Sequence, residues 1–81
     1  MARESLVGEL ENRGVTEVIR VRRMLFGERP VVDVRIFFED NLDDGTTELR
    51  PSRKGIGLTP ETWRRLLVVI AEAVGTEQAE A

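Results

Sequence analysis

Two stretches of the chain alternate apolar and polar residues. In VIRVRRMLF (18–26), Ile19 and Val21 take turns with Arg20 and Arg22, the period of a half-buried strand. In VVDVRIFF (31–38), the even positions Val32, Val34, Ile36 and Phe38 make one apolar face, and Val31, Asp33, Arg35 and Phe37 a mixed one. β-Branched and aromatic residues fill this second stretch, which makes it the clearest strand of the chain. Phe26-Gly27-Glu28-Arg29-Pro30 predicts the turn between them, with Pro30 at the start of the second strand, where it is tolerated.

The period changes further along. A polar loop, EDNLDDGTT, contains the turn pair Asp44-Gly45, and ELR and KGIGL then predict two short strands around a Pro51-Ser52 corner. Thr59 suits an N-cap, Pro60 the first helical position, and Glu61 the positive end of the helix dipole. The helix is expected over about 60–74, with Gly75 ending it and 76–81 as a frayed tail. RESLVGELENRG near the start pairs Leu6 with Leu10, but Gly8 weakens a helix, so residues 1–13 are either a short helix or a short strand. Strands followed by one helix indicate an α+β fold, an antiparallel sheet with the helix on one face.

That helix is apolar over more than half its circumference. Trp63, Leu66, Leu67, Ile70 and Val74 cluster on one side, extended by Val69 and Ala73 one way and by Ala71 the other. A monomeric surface helix shows a narrower stripe. A small core that wraps the helix would explain the breadth, and so would a two-fold dimer through Leu67, Ile70, Ala71 and Val74; the dimer is the expectation.

Composition adds bounds. The chain has 81 residues, 41% hydrophobic and 33% charged, and no cysteine, which describes one small globular domain without disulfides. It shows neither a secretory signal nor an apolar run of membrane-spanning length, so a soluble intracellular protein that does not enter membranes is expected. The net charge of −3 is uneven: residues 1–17 and 55–81 each carry −2, and residues 18–54 carry +1. A local basic groove is compatible with that balance, because phosphate contacts depend on local potential. Eleven of the twelve cations are arginine, which suits bidentate phosphate contacts; codon bias in a GC-rich genome gives the same skew.

Catalytic chemistry finds little support. With no His or Cys the usual bases and thiol nucleophiles are missing, and neither Ser5 nor Ser52 has a base beside it. An EF-hand register begun at Asp40 puts Leu42 and Pro51 at ligand positions, so no metal site is read there. No catalytic residue, metal or cofactor is expected. Single-strand nucleic-acid binding fits better, since it combines a basic track with exposed aromatic rings. Arg35 and Phe37 share a face, Phe38 adjoins them, Arg22 lies on the preceding strand, and Arg50, Arg53 and Lys54 follow. Spacing alone leaves a second reading open, in which both phenylalanines are core and the arginines pair with Asp33, Glu39 and Glu48.

VVDVRIFF, followed after an acidic loop by RPSRKGIGLTPETWRRL, closely resembles the positive cofactor four family of transcriptional coactivators, which bind single-stranded DNA. The resemblance covers about residues 14–74 and is most specific at SRKGIGLTPETW, 52–63. It implies a curved four-stranded antiparallel sheet and a helix, dimerising through helix and sheet, with residues 14–75 as the binding domain. It places the phosphate contacts on Arg35, Arg50, Arg53 and Lys54 and the stacking ring on Phe38, while strand alternation favours Phe37. The first hairpin is about two residues longer than the familiar pattern, so its contacts map loosely on Met24 or Phe26 and on Arg29. The serine- and lysine-rich N-terminal region of the eukaryotic coactivators is missing from the sequence, as in a stand-alone prokaryotic member. The expected protein is therefore a homodimer that binds melted DNA with little sequence preference during transcription, replication or repair. It would be cytoplasmic and nucleoid-associated in a prokaryote, and nuclear in a eukaryote. RNA is a further candidate ligand. A dimer that engages an acidic partner in the transcription machinery, without touching nucleic acid, is the alternative.

Overall fold

The computed structural model of the protein describes residues 2–14 and 16–80, with the backbone alone for residues 2 and 76–80. Four strands, β1 (Ala2–Glu11), β2 (Glu17–Phe26), β3 (Arg29–Asn41) and β4 (Thr47–Leu58), are followed by one helix, α1 (Pro60–Glu80). The strands pair antiparallel in chain order to make an open, curved sheet. The α+β class is as expected, but two of its strands are not those expected. Residues left open at the N-terminus form β1, and the two short strands around Pro51 are one strand, β4. Pro51 is tolerated there because β4 is an edge, where a missing N–H costs no ladder bond on the open side.

The β2–β3 turn is tighter than its five-residue signal. Phe26 pairs with Arg29, leaving only Gly27-Glu28 between the strands. Gly27 has φ 66° and among the described residues no non-glycine residue has positive φ, which is the type II′ hairpin turn that needs glycine at its first central position. Pro30 lies opposite Leu25, in a pair whose N–H groups point away from β2, and β4 reaches β3 only from Val32 onward. Its missing N–H therefore breaks no bond.

The helix start follows its sequence signal. The Thr62 N–H donates to Thr59 Oγ1 (3.3 Å) and the Trp63 N–H to the Thr59 carbonyl (3.0 Å). The end departs from expectation: the helix passes through Gly75 and runs to Glu80. Gly75 does not take the left-handed conformation with which glycine terminates helices.

Strand pairing sorts the side chains onto two faces. Val21, Val32 and Val34 face α1 and line an open apolar cleft of about 330 Å³ with Pro60, Trp63, Arg64 and Leu67. The Trp63 indole N–H donates to the Val32 carbonyl at 2.7 Å, where the β3–β4 ladder ends. Only the start of α1 is docked in this way. Leu67 at its edge, and Ile70 and Val74 beyond it, are 54%, 42% and 47% exposed, and Ala71 is exposed too.

The accessible surface is 6612 Å², against about 4,900 Å² for a compact chain of this mass. The radius of gyration is 15.4 Å, against roughly 12 Å for a compact domain of this length. The only buried apolar side chains among the described residues are Val18 and Phe37. The chain is thus a sheet with one helix leaning on it, short of a full core.

Candidate nucleic-acid interface

The face away from the helix carries Arg20, Arg22, Arg29 and Arg35. Cross-strand partners share a face, so Arg20 stands opposite Arg35, Arg22 opposite Asp33, and Val18 opposite Phe37. The Phe37 ring is 5% exposed because two guanidinium groups lie over it, Arg20 at 4.9 Å and Arg22 at 5.1 Å from its centroid. Two arginines directly across a strand pair would repel. Asp33 offsets this from the next position.

Asp33 is 3% exposed and is the hub of the face. It accepts hydrogen bonds from Arg22 Nη2 (2.8 Å), Arg35 Nη2 (2.9 Å) and Arg35 Nε (3.2 Å). Burial alone would push its carboxyl up, but the hydrogen bonds and charges of Arg35 and Arg22 outweigh this and hold it below the usual aspartate value. The same bond to Asp33 raises Arg35 against an opposing effect of burial.

The basic run 50–54 is shaped by an irregularity in β4. Arg35 pairs with Gly55 and Phe37 with Pro51, so the single residue Ile36 faces Ser52, Arg53 and Lys54. Extra residues in one strand push it outward as a bulge. Ser52 closes this one: its hydroxyl donates to the Ile36 carbonyl (2.7 Å) and accepts from the Lys54 N–H (3.0 Å). Arg35 Nη1 donates to the Ser52 carbonyl at 3.0 Å, so the bulge is tied to the arginine face. Gly55 permits the approach, since a Cβ there would lie 2.7 Å from Arg35 Cβ and from the Val34 carbonyl oxygen. Arg53 and Lys54 are exposed, and among the described residues neither side chain has a hydrogen-bond or ion-pair partner.

The other expected residues fall into two groups. Arg35 and Arg22 are largely covered and already bound, Arg22 also to Glu4 Oε2 at 2.9 Å. Arg50 is half exposed and paired with Glu48 (2.8 Å) and Asp40 (3.0 Å). Phe26 and Arg29 face each other across the hairpin end on the arginine face, with Phe26 50% exposed. Phe38 is 40% exposed but sits opposite Arg50, on the helix side of the sheet. The bulge lies in β4 and not in β3, so Phe37 and Phe38 remain on opposite faces. Phe37 shares its face with Arg35, as alternation indicated, but as a buried ring.

The structure divides the residues that the two readings shared. Phe37 is core and Arg35 is paired with Asp33, while Phe38, Arg53 and Lys54 are presented to solvent. Ser52, Gly55 and the central role of Asp33 escaped the sequence reading. A signal existed for Asp33, because opposite charges two apart on one strand share a face.

The chain is a single curved sheet with a helix on one face and a line of arginines on the other. Residues 15–69 match the family described as transcriptional coactivator p15 (PC4), more than half of the chain, and the protein belongs to that family of DNA-binding coactivators. The fold is similar to that of BPSL1147, a PC4 homolog from Burkholderia pseudomallei K96243. For its tetragonal crystal form the TM-score is 0.76 at 22% identity, over 89% of this chain and 98% of that one. For the orthorhombic form it is 0.71 at 26% identity, over 86% and 88%. No curated protein matches the chain. Among the described residues no helix is long and apolar enough to cross a membrane.

Proposed function

We propose that the protein is a homodimer that binds single-stranded DNA with little sequence preference, acting where DNA is melted. The observation that carries this reading is the clasped β4 bulge. It holds Arg53 and Lys54 out with no partner of their own, next to the Arg35 line. A single-stranded backbone passing the bulge meets these two free cations first. On the arginine face Arg29 and the exposed Phe26 ring flank the path, and Arg50 with the exposed Phe38 ring takes over where a strand rounds the β4 edge onto the helix side. Arg35 serves mainly to tie the bulge to the sheet.

Titration of a labelled oligo-dT at several salt concentrations tests this. The log–log slope is expected to be about −0.7 for each phosphate neutralised. The double variant Arg53→Ala/Lys54→Ala should lose about 1.4 units of that slope and keep its circular dichroism. Phe38→Ala should lose about 1–3 kcal/mol of binding. Binding no tighter than to duplex of the same length would overturn the reading, and no oligonucleotide binding at all would favour an acidic protein partner.

The dimer is supported by the surface left bare. The excess over a compact chain is about 1,700 Å² per protomer, and two such patches joined bury the area of an obligate interface. Ile70, Ala71 and Val74 lie on the undocked part of the helix, and Leu67, at the edge of the docked part, is exposed as well. Ile70→Asp would put a charge into this contact, so sedimentation should show monomer where the wild type shows dimer. A wild type that sediments as monomer at micromolar concentration would remove the dimer from the reading.

A further inference from the structure

β1 lies outside the residues that match the family, 15–69, and it carries Glu4, Glu9 and Glu11 onto the arginine face, of which Glu4 and Glu9 pair with arginines. Glu4 and Glu9 are five residues apart, an odd spacing that puts side chains on opposite faces of a regular strand. The register slips between Leu6 and Gly8, where Val7 is the extra residue. After the slip Glu9 stands opposite Arg20, as Leu6 stands opposite Arg22 and Glu4 opposite Met24, all on one face. Glu9 Oε1 then meets Arg20 Nε at 2.9 Å, and Glu4 Oε2 meets Arg22 Nη1 at 2.9 Å.

These are the two arginines that lie over Phe37. Their partners differ in kind. Asp33 is buried and shared with Arg35, so its hold on Arg22 belongs to the fold. The Glu4 and Glu9 side chains are 56% and 43% exposed, and exposed pairs of this sort are weak and readily exchanged. Arg35, the third arginine of the face, has no carboxylate from β1.

We propose that Glu4 and Glu9 are affinity-setting residues, carboxylates that occupy Arg22 and Arg20 where a phosphodiester backbone would otherwise bind. A nucleic-acid strand crossing this face has to displace them, exchanging carboxylate for phosphate at each guanidinium. Displaced carboxylates take up cations from solution, which cancels part of the counterion release that drives binding. The strand thereby weakens binding and flattens its salt dependence. This rests on the single-strand reading above, and the experiment separates the two.

Oligo-dT affinity is measured at several salt concentrations for wild type, Glu9→Gln, and Glu4→Gln/Glu9→Gln. Asp43→Asn/Glu61→Gln serves as a control that removes the same charge elsewhere. The double variant is expected to bind about tenfold tighter at low salt, from two exposed pairs released, with a slope steeper by up to about 1.4. Glu9→Gln alone should show about half of each change. A double variant that binds while the wild type does not would support the proposal in its strongest form. Wild-type binding that the double variant leaves unchanged, or that the control raises equally, would overturn it and leave the single-strand reading standing. Binding by neither protein would overturn both. Thermal melts of each variant confirm that they are folded, and a double variant that has lost its fold would overturn the proposal, since it makes these pairs dispensable to the structure.

Discussion

Phe37→Ala is expected to cost the domain about 3–5 kcal/mol, the range for deleting a buried aromatic ring. The effect is large because so little else is buried: Phe37 and Val18 are the apolar core among the described residues. The ring also carries Arg20 and Arg22 on its face, contacts worth about 0.5–2 kcal/mol each when partly desolvated. Removing it leaves a cavity beneath two charged groups and unseats both. Small domains hold only about 5–15 kcal/mol in total, so the variant should be mostly unfolded in modest urea. Phe38→Ala, by contrast, should stay within about 1 kcal/mol of wild type, as surface substitutions usually do. Urea denaturation at a fixed protein concentration decides the matter, because the stability of the proposed dimer would depend on concentration. Equal midpoints for the two variants would show that Phe37 is not the core.

Asp33→Asn should be comparably severe, about 3–5 kcal/mol, because it leaves two covered guanidinium groups without their shared charge. The pH dependence follows from the same contact. Arg35 and Arg22 hold the Asp33 carboxyl below its ordinary value against the cost of burial. Its contribution to stability is therefore fully present above the unfolded aspartate value, near 3.9. It is lost as pH falls from there through the lower folded value. Wild type should lose stability across that acid window, and the Asn variant, already weakened at pH 7, should lose less. Parallel stability–pH curves for the two proteins would contradict the assignment of Asp33 as hub.

The sequence made β2 and β3 legible because each is half-buried, with arginines or Asp33 against one face and valines against the other. β1 was not legible, for a physical reason. It is an edge strand whose side chains are exposed on both faces, and the bulge at Val7 resets its alternation midway. β4 was split by its proline and glycines, which mark an edge, a clasped bulge and a close approach to Arg35 instead of a corner. The cations of the site were visible as a run at 50–54. Their division of labour was not, because it depends on Ser52 bonding to a carbonyl sixteen residues away. Arg35 carried the ambiguity in miniature: the residue type suits phosphate, and a buried aspartate two positions back has already claimed it.

Trp63 sets a practical condition on experiments with this protein. It is the chain's single tryptophan and there is no tyrosine, so nearly all near-ultraviolet emission comes from one indole. That indole is hydrogen-bonded to Val32 at the helix–sheet junction, on the side of the sheet away from Phe37, Arg20 and Arg22. Its fluorescence is thus a reporter of whether α1 is docked. It is blind to a base stacked on Phe26, on the opposite side, whereas a base stacked on Phe38 would lie on the indole's own side of the sheet.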